Sequence, residues 1–132
     1  MSIPLLNILE RSLDASSMRQ KAISNNLANS GTPDYQPQRV AFEEQLKMAL
    51  DQNSSDFVGR RTNTRHIPIG KSVVLPTPTL KTEEIVMNND GNGVDVDYEM
   101  ASLSKNSLWY NALAQQINHE FNLLKTVIKG RG

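Results

Sequence analysis

A heptad repeat in the C-terminal part of the chain constrains the fold more than any other feature. From Val96 to Ile128, apolar residues recur at alternating steps of four and three, and only one position is polar. Such a repeat predicts a helix that packs along one side in a coiled coil, and a straight helix of this span would be about 50 Å long. The repeat consists of Val96, Met100, Leu103, Ser107, Tyr110, Ala114, Ile117, Phe121, Leu124 and Ile128.

The same segment carries a second apolar flank. At ~100° per residue, Leu108, Trp109, Ala112, Leu123 and Val127 fall opposite or lateral to the heptad stripe. A helix with a single partner needs one apolar stripe, so two stripes predict that this helix is covered on two sides. The pattern fits either a buried helix of a bundle or a helix sandwiched between subunits.

Residues 3 to 29 form the second predicted helix, with Ser2 as N-cap and Pro4 tolerated in the first turn. Its main apolar face is Leu5, Leu6, Leu9, Leu13, Ile23 and Leu27, interrupted by Ser16 and Gln20, and a narrower face is Ile8, Ala15, Met18 and Ala22. We expect the terminal helices to pair along their main stripes and to leave the second stripes for other molecules. The expected seam residues are Leu6, Leu9, Leu13, Ile23, Leu27, Tyr110, Ile117, Phe121, Leu124 and Ile128.

The middle of the chain lacks a long helical period. A short helix is expected near 40–50, whereas the runs at 67–69 and 73–75 are β-prone, with prolines that suit sheet edges or extended segments. The fold class is therefore mainly α, with long N- and C-terminal helices paired as a coiled coil and an irregular, partly β or flexible middle segment. The predicted division is residues 1–35 with 94–132 as the coiled-coil domain, and 36–93 as the middle segment.

Composition excludes several classes of protein. Fourteen basic and fourteen acidic residues give a net charge of zero, which argues against a nucleic-acid partner. The absence of cysteine excludes disulfides and thiol chemistry. No apolar stretch approaches the ~20 residues of a membrane span, and the N-terminus lacks the basic region of a signal peptide. We expect no membrane insertion, and either a cytoplasmic protein or export that leaves the N-terminus in place.

Residues that catalysis or metal binding would need are sparse. His66 and His119 have no second ligand at helical spacing, and neither a nucleophile elbow nor a phosphate-binding glycine loop occurs. Residues 88–99 nearly match a calcium loop, but Asn88 stands where an aspartate is expected. This segment is either a small calcium-responsive module or a turn in which Asp95 caps the last helix. We predict a non-enzyme without catalytic residues, metal or cofactor.

Two sequence elements lie at the ends of the predicted long helices. The first ends the N-terminal helix and consists of Asn26, Leu27, Ala28, Asn29, Thr32, Pro33 and Tyr35. The second opens the C-terminal helix and consists of Val94, Asp95, Asp97, Glu99, Met100 and Leu103, then Asn106, Tyr110 and Ala112. In this order the two elements resemble the axial proteins of the bacterial flagellum, which are the rod, hook and hook-associated proteins. The short length and the position of both elements favour the flagellar basal-body rod proteins of the proximal rod.

The resemblance implies a structural subunit that assembles with other rod proteins into a helical tube and transmits torque. It also implies an adaptor between the MS ring and the export gate as a neighbour at the rod base. Delivery would be by the flagellar type III export apparatus, to the periplasm-spanning rod, without a cleaved signal peptide. Phe42 and Leu46 resemble the short hydrophobic motif that the export gate recognises, although any buried pair one helical turn apart shares this spacing.

Overall fold

The computed structural model describes residues 3–54, 74–82 and 93–130. Within these residues, three helices and two short strands follow one another along the chain. Both long terminal helices are present and pack against each other, so the predicted mainly α fold is confirmed. The elements are α1 (Ile3–Ala28), β1 (Gln38–Ala41), α2 (Glu43–Ser54), β2 (Thr79–Thr82) and α3 (Val96–Lys129).

The two long helices run antiparallel. Ser16, near the middle of α1, is hydrogen-bonded to Asn106 of α3. Glu99 lies closer to the start of α3 and is paired with Arg39, which follows the C-terminal end of α1. Moving towards the N-terminus of α3 therefore means moving towards the C-terminus of α1.

This register leaves the end of α3 without α1 beside it. Counting in opposite directions from the contact of Ser16 with Asn106, the start of α1 at Ile3 lies level with His119. Glu120 is still buried, and α3 continues to Lys129, so about nine residues, or about 14 Å of helix, project beyond α1. We call residues 121–129 the tip of α3.

The side of α3 that faces α1 lies one residue away from the predicted heptad stripe. Its buried residues recur every seven positions and are mostly polar: Glu99, Asn106, Leu113 and Glu120. Among the predicted seam residues of α3, Ile117 and Leu124 are half-buried, whereas Tyr110, Phe121 and Ile128 are 43%, 53% and 82% exposed. The structure thus differs from the expectation that the main stripes meet.

The facing side of α1 explains this rotation. Leu9 and Ile23 are buried as expected, while Leu6, Leu13 and Leu27 are half-buried. Between Leu9 and Ile23 the buried side chains of α1 are small, and the large apolar residues of α3 lie away from this contact. The buried small residues are Ser12, Ala15, Ser16 and Ala22.

The middle segment contributes a two-stranded antiparallel sheet and α2. β1 pairs with β2 from Gln38 opposite Thr82 to Ala41 opposite Thr79. The predicted short helix exists but begins at Glu43, because Val40 and Ala41 belong to β1. Of the β-prone runs, 67–69 and Val73 lie outside the described residues, and Val74 and Leu75 are not in a strand. Among the described helices, none combines the length and apolarity needed to cross a membrane.

Candidate assembly interface

Asn26, in the last turn of α1, anchors the loop that joins α1 to β1. Its side chain is fully buried, and its amide nitrogen donates to the carbonyl oxygen of Gln38 at 3.0 Å. Its Oδ1 accepts from the Gln38 N–H at 2.8 Å and from the Tyr35 hydroxyl at 3.1 Å. The side chain of Asn26 thus pairs with the backbone of β1 as a neighbouring strand would.

A second asparagine of the motif closes the end of α1. The amide of Asn29 donates to the carbonyl oxygen of Asn25 at 2.8 Å, and its Oδ1 accepts from the Thr32 hydroxyl at 3.2 Å. The Thr32 N–H also donates to the Asn29 carbonyl. These bonds satisfy groups that a helix C-terminus leaves open. Of the apolar motif residues, Ala28 and Pro33 are exposed and Leu27 is half-buried. The loop is therefore held mainly by hydrogen bonds of the polar motif residues.

Gly93 brings the entry to α3 against this loop. A Cβ atom at Gly93 would lie 2.6 Å from the carbonyl oxygen of Tyr35, so only glycine fits here. Val94, which follows, is buried. The structure therefore brings together the two elements on which the family resemblance rests. Gly93 was recognised from the sequence only as a matching position of the calcium loop and not as part of the family motif.

Asp95 is the N-cap of α3, as predicted. Its Oδ1 accepts from the backbone N–H groups of Asp97 at 3.0 Å and Tyr98 at 3.2 Å. These contacts satisfy two of the donors that the first turn of a helix leaves open. Asp97 is exposed in the same turn, where its charge favours the positive end of the helix dipole.

Glu99 is completely buried and is held by Arg39, 60 positions away in sequence. Nη1 of Arg39 lies 2.5 Å from Oε1 of Glu99, and the guanidinium carbon lies 4.8 Å from the centre of the Tyr98 ring. Glu99 Oε2 is buried without a hydrogen-bond partner in the described part of the chain. Since a buried carboxylate is costly unless it is paired, this ion pair fixes β1 on the start of α3.

The calcium alternative gains no support. Glu99 would be the final ligand of that loop, but its Oε1 is taken up by Arg39. Asp95 uses its carboxylate as a helix cap. Residues 88–92 lie outside the described residues, and the described ranges contain no group of three or more potential metal ligands.

Asn106 joins the two long helices through a buried polar layer. Its amide donates to the carbonyl oxygen of Ser16 at 2.9 Å and to Oε1 of Gln20 at 3.3 Å. Its Oδ1 accepts from the Ser16 hydroxyl at 3.0 Å. The two residues that interrupt the apolar face of α1 are therefore the partners of Asn106. A buried asparagine of this kind specifies the alignment of paired helices.

Large apolar side chains lie on the outside of α3. Val127 and Ile128, at the tip, are 77% and 82% exposed. Contiguous apolar surface of this kind marks interaction sites in soluble proteins. The other exposed large apolar residues of α3 are Val96, Tyr98, Met100, Leu108, Trp109, Tyr110, Phe121 and Leu123.

The predicted export residues lie at the start of α2. Phe42 is buried and Leu46 is half-buried, and the Leu46 N–H donates to the Phe42 carbonyl at 2.8 Å. A role in export stays a prediction. His119 is exposed on α3, and His66 lies outside the described residues.

The described residues form two long terminal helices that pack against each other, and the loop after α1 lies against the start of α3. This is the arrangement that the resemblance to flagellar axial proteins predicts. The chain is 38% identical over 128 residues to the flagellar basal body rod protein FlgB of Bacillus subtilis (strain 168), covering 92% of this chain and 91% of that protein. The chain belongs to the family of the flagellar basal body rod protein FlgB.

Two further relatives are also flagellar basal body rod proteins FlgB. The protein of Borrelia hermsii is 33% identical over 129 residues, covering 94% of this chain and 95% of that protein. The protein of Escherichia coli (strain K12) is 30% identical over 131 residues, covering 92% of this chain and 93% of that protein. No protein-family model matches the chain.

Proposed function

We propose that this chain is a structural subunit of the proximal flagellar rod, where it assembles with other rod proteins into a helical tube that transmits torque. The observation that carries the proposal is the distribution of polar and apolar side chains around α3. Polar residues face α1, and large apolar residues face outwards. Such a helix is incomplete as a solitary unit because its apolar side has nothing to cover it in the described part of the chain.

The tip of α3 is the main candidate for a contact between subunits. Its side chains Phe121, Leu123, Val127 and Ile128 are all exposed, and α1 does not reach this level. Full burial of one such side chain stabilises a contact by about 1.5–3 kcal/mol. A patch at one end of an elongated subunit that meets a different patch on its neighbour generates an open helical assembly. The work of such a subunit is mechanical and needs no catalytic group.

Finer assignments follow from the family resemblance. We propose that neighbours include other rod proteins and the adaptor between the MS ring and the export gate at the rod base. We also propose delivery by the flagellar type III export apparatus with the N-terminus left in place. Because Phe42 is buried in the folded subunit, it becomes accessible to an export gate only when the chain is unfolded.

The proposal is tested by co-assembly. Purified chain mixed with other rod proteins is expected to join elongated particles seen by electron microscopy, and Ile128→Asp is expected to abolish this. Ile128 is 82% exposed, so the aspartate does not disturb the isolated fold but introduces a charge that a contact between subunits would have to bury.

The matched control is Asn118→Asp, a new charge at an exposed polar position of the same helix. Its assembly should equal that of the unaltered chain. If Ile128→Asp assembles as well as the control, the tip is not a contact between subunits. If the unaltered chain never joins such particles, the proposed function is wrong.

A further inference from the structure

A groove of about 770 Å³ runs between α1 and α3 beside β1. Ile23 is buried at its base, and Trp109 and Tyr98 line it while remaining 48% and 54% exposed. Its volume is of the order of two turns of a helix about 10 Å wide. The shape and the apolar lining suit an amphipathic helix laid along the seam of α1 and α3.

The charges at the rim of the groove indicate the charge of its occupant. Arg19 is paired through Nη2 with both carboxylate oxygens of Glu43, at 2.6 and 2.8 Å. Arg39 is paired with Glu99. Lys105 also lines the groove, is exposed, and makes no ion pair within the described part of the chain. The rim thus presents one ammonium group that a carboxylate of the occupant can neutralise.

The first half of α1 has the complementary pattern. Glu10 and Asp14 lie one helical turn apart, are exposed, and make no ion pair among the described residues. Leu6 and Leu13 lie on the same side and are half-buried. The tip of α3, by contrast, carries Lys125 and Lys129 on its apolar surface, and Lys105 would repel it.

We propose that the groove of one subunit receives the first half of α1 from a second copy of this chain, with Glu10 or Asp14 opposite Lys105. The groove and the occupant are different patches of one chain, so the contact is heterologous and does not close on itself. Because the groove lies near the C-terminal end of α1 and the occupant at its start, neighbouring subunits are staggered along the helix axis. This inference deepens the proposed function and rests on it.

The only tryptophan of the chain reports on the groove directly, because Trp109 lines it. Unaltered chain at a fixed low concentration is titrated with a full-length Trp109→Phe chain, which is invisible in tryptophan fluorescence. Docking of the donor's α1 is expected to move the emission of Trp109 to shorter wavelength in a saturable way, since the ring leaves water.

A charge exchange identifies the contact. Lys105→Glu in the observed chain is expected to raise the donor concentration at the midpoint at least tenfold. A donor that carries Glu10→Lys and Asp14→Lys should restore binding to the Lys105→Glu chain and lose binding to the unaltered chain. All the altered positions are exposed, and circular dichroism checks that each variant folds.

Two results overturn the inference: emission that does not shift at any donor concentration, or one midpoint for all four combinations of charge. Co-assembly with other rod proteins is measured separately, by electron microscopy of the unaltered chain and of the Ile128→Asp variant. Chain that joins rod particles while Trp109 emission stays constant would refute the groove contact and leave the proposed function intact. A charge-dependent shift of Trp109 emission without co-assembly would support the groove contact and refute the proposed function.

Discussion

The two ends of the α1–α3 pair are built in opposite ways. At the loop end, polar groups hold the chain together: Asn26 binds β1, Asp95 caps α3, and Arg39 pairs with Glu99. At the other end, the tip of α3 presents exposed apolar side chains beyond the reach of α1. Polar bonds with fixed geometry define one conformation of the subunit, whereas apolar surface supplies the driving force for association. We infer that the polar bonds of the loop end fix the fold, whereas the exposed tip supplies the main contact between subunits.

Among substitutions that test this contrast, the largest loss of folding stability is expected at Arg39. Arg39→Ala leaves the buried charge of Glu99 uncompensated and should lower the free energy of unfolding by about 3–5 kcal/mol. Urea unfolding followed by circular dichroism measures this. The control is Arg19→Ala, which breaks the more exposed pair with Glu43 and should cost about 0–1 kcal/mol. Equal losses would mean that the buried pair does not hold the loop end.

The second largest loss of stability is expected when Asn26, the buried asparagine of the motif, is replaced. Asn26→Ala leaves both backbone groups of Gln38 without their partner and should cost about 2–3 kcal/mol, measured by the same unfolding experiment. The neighbouring Asn25→Ala removes an exposed side chain and should change stability by less than about 0.5 kcal/mol. A loss below 1 kcal/mol for Asn26→Ala would show that the motif acts elsewhere than in the loop.

A methyl group at Gly93 tests the contact between the two motif elements. Gly93→Ala should cost about 1–3 kcal/mol, because its Cβ would press against the backbone of Tyr35. Gly31→Ala is the control, since no atom lies within 4 Å of the added carbon. The readout is the difference in denaturation midpoint between the two alanine variants. Equal midpoints would show that Gly93 does not lie against the backbone of Tyr35.

The smallest effect at the loop end is expected for the cap of α3. Asp95→Ala removes the acceptor for two backbone N–H groups and should cost about 1 kcal/mol. Asp97→Ala, in the same turn, loses only a favourable interaction with the helix dipole, about 0.3–1 kcal/mol. Thermal melts followed by circular dichroism would rank the two, and a larger loss for Asp97→Ala would contradict the assignment of the cap.

The long helices, the cap at Asp95 and the short helix in the middle segment could be predicted from the sequence, because each depends on local periodicity or on a local side chain. The rotation of α3 could not. Periodicity shows which side of a helix is apolar, but not whether that side meets the same chain or another one. The hydrogen bonds between Asn106 and Ser16 show which side of α3 faces α1, and a bulky apolar residue at position 106 could not make them.

The bonds that hold the loop end were equally hidden. Arg39 and Glu99 are 60 positions apart, and Ser16 and Asn106 are 90 positions apart, so no local pattern links them. β2 was missed because Thr79–Thr82 is mostly polar and all four residues are exposed, so only its pairing with β1 makes it a strand. The motif residues were recognisable by resemblance, whereas their hydrogen bonds could be assigned only once the loop was seen folded.

Hydrogen exchange along α3, read by mass spectrometry, tests the central claim most directly. In the isolated subunit, amides of residues 96–106 should exchange slowly and those of residues 121–129 quickly; in co-assembled rod particles, both should exchange slowly. In the Ile128→Asp chain, the amides of residues 121–129 should still exchange quickly in the presence of the other rod proteins. A tip that is already protected in the isolated subunit, or one that gains no protection on assembly, would contradict the division between a folded end and an assembling end.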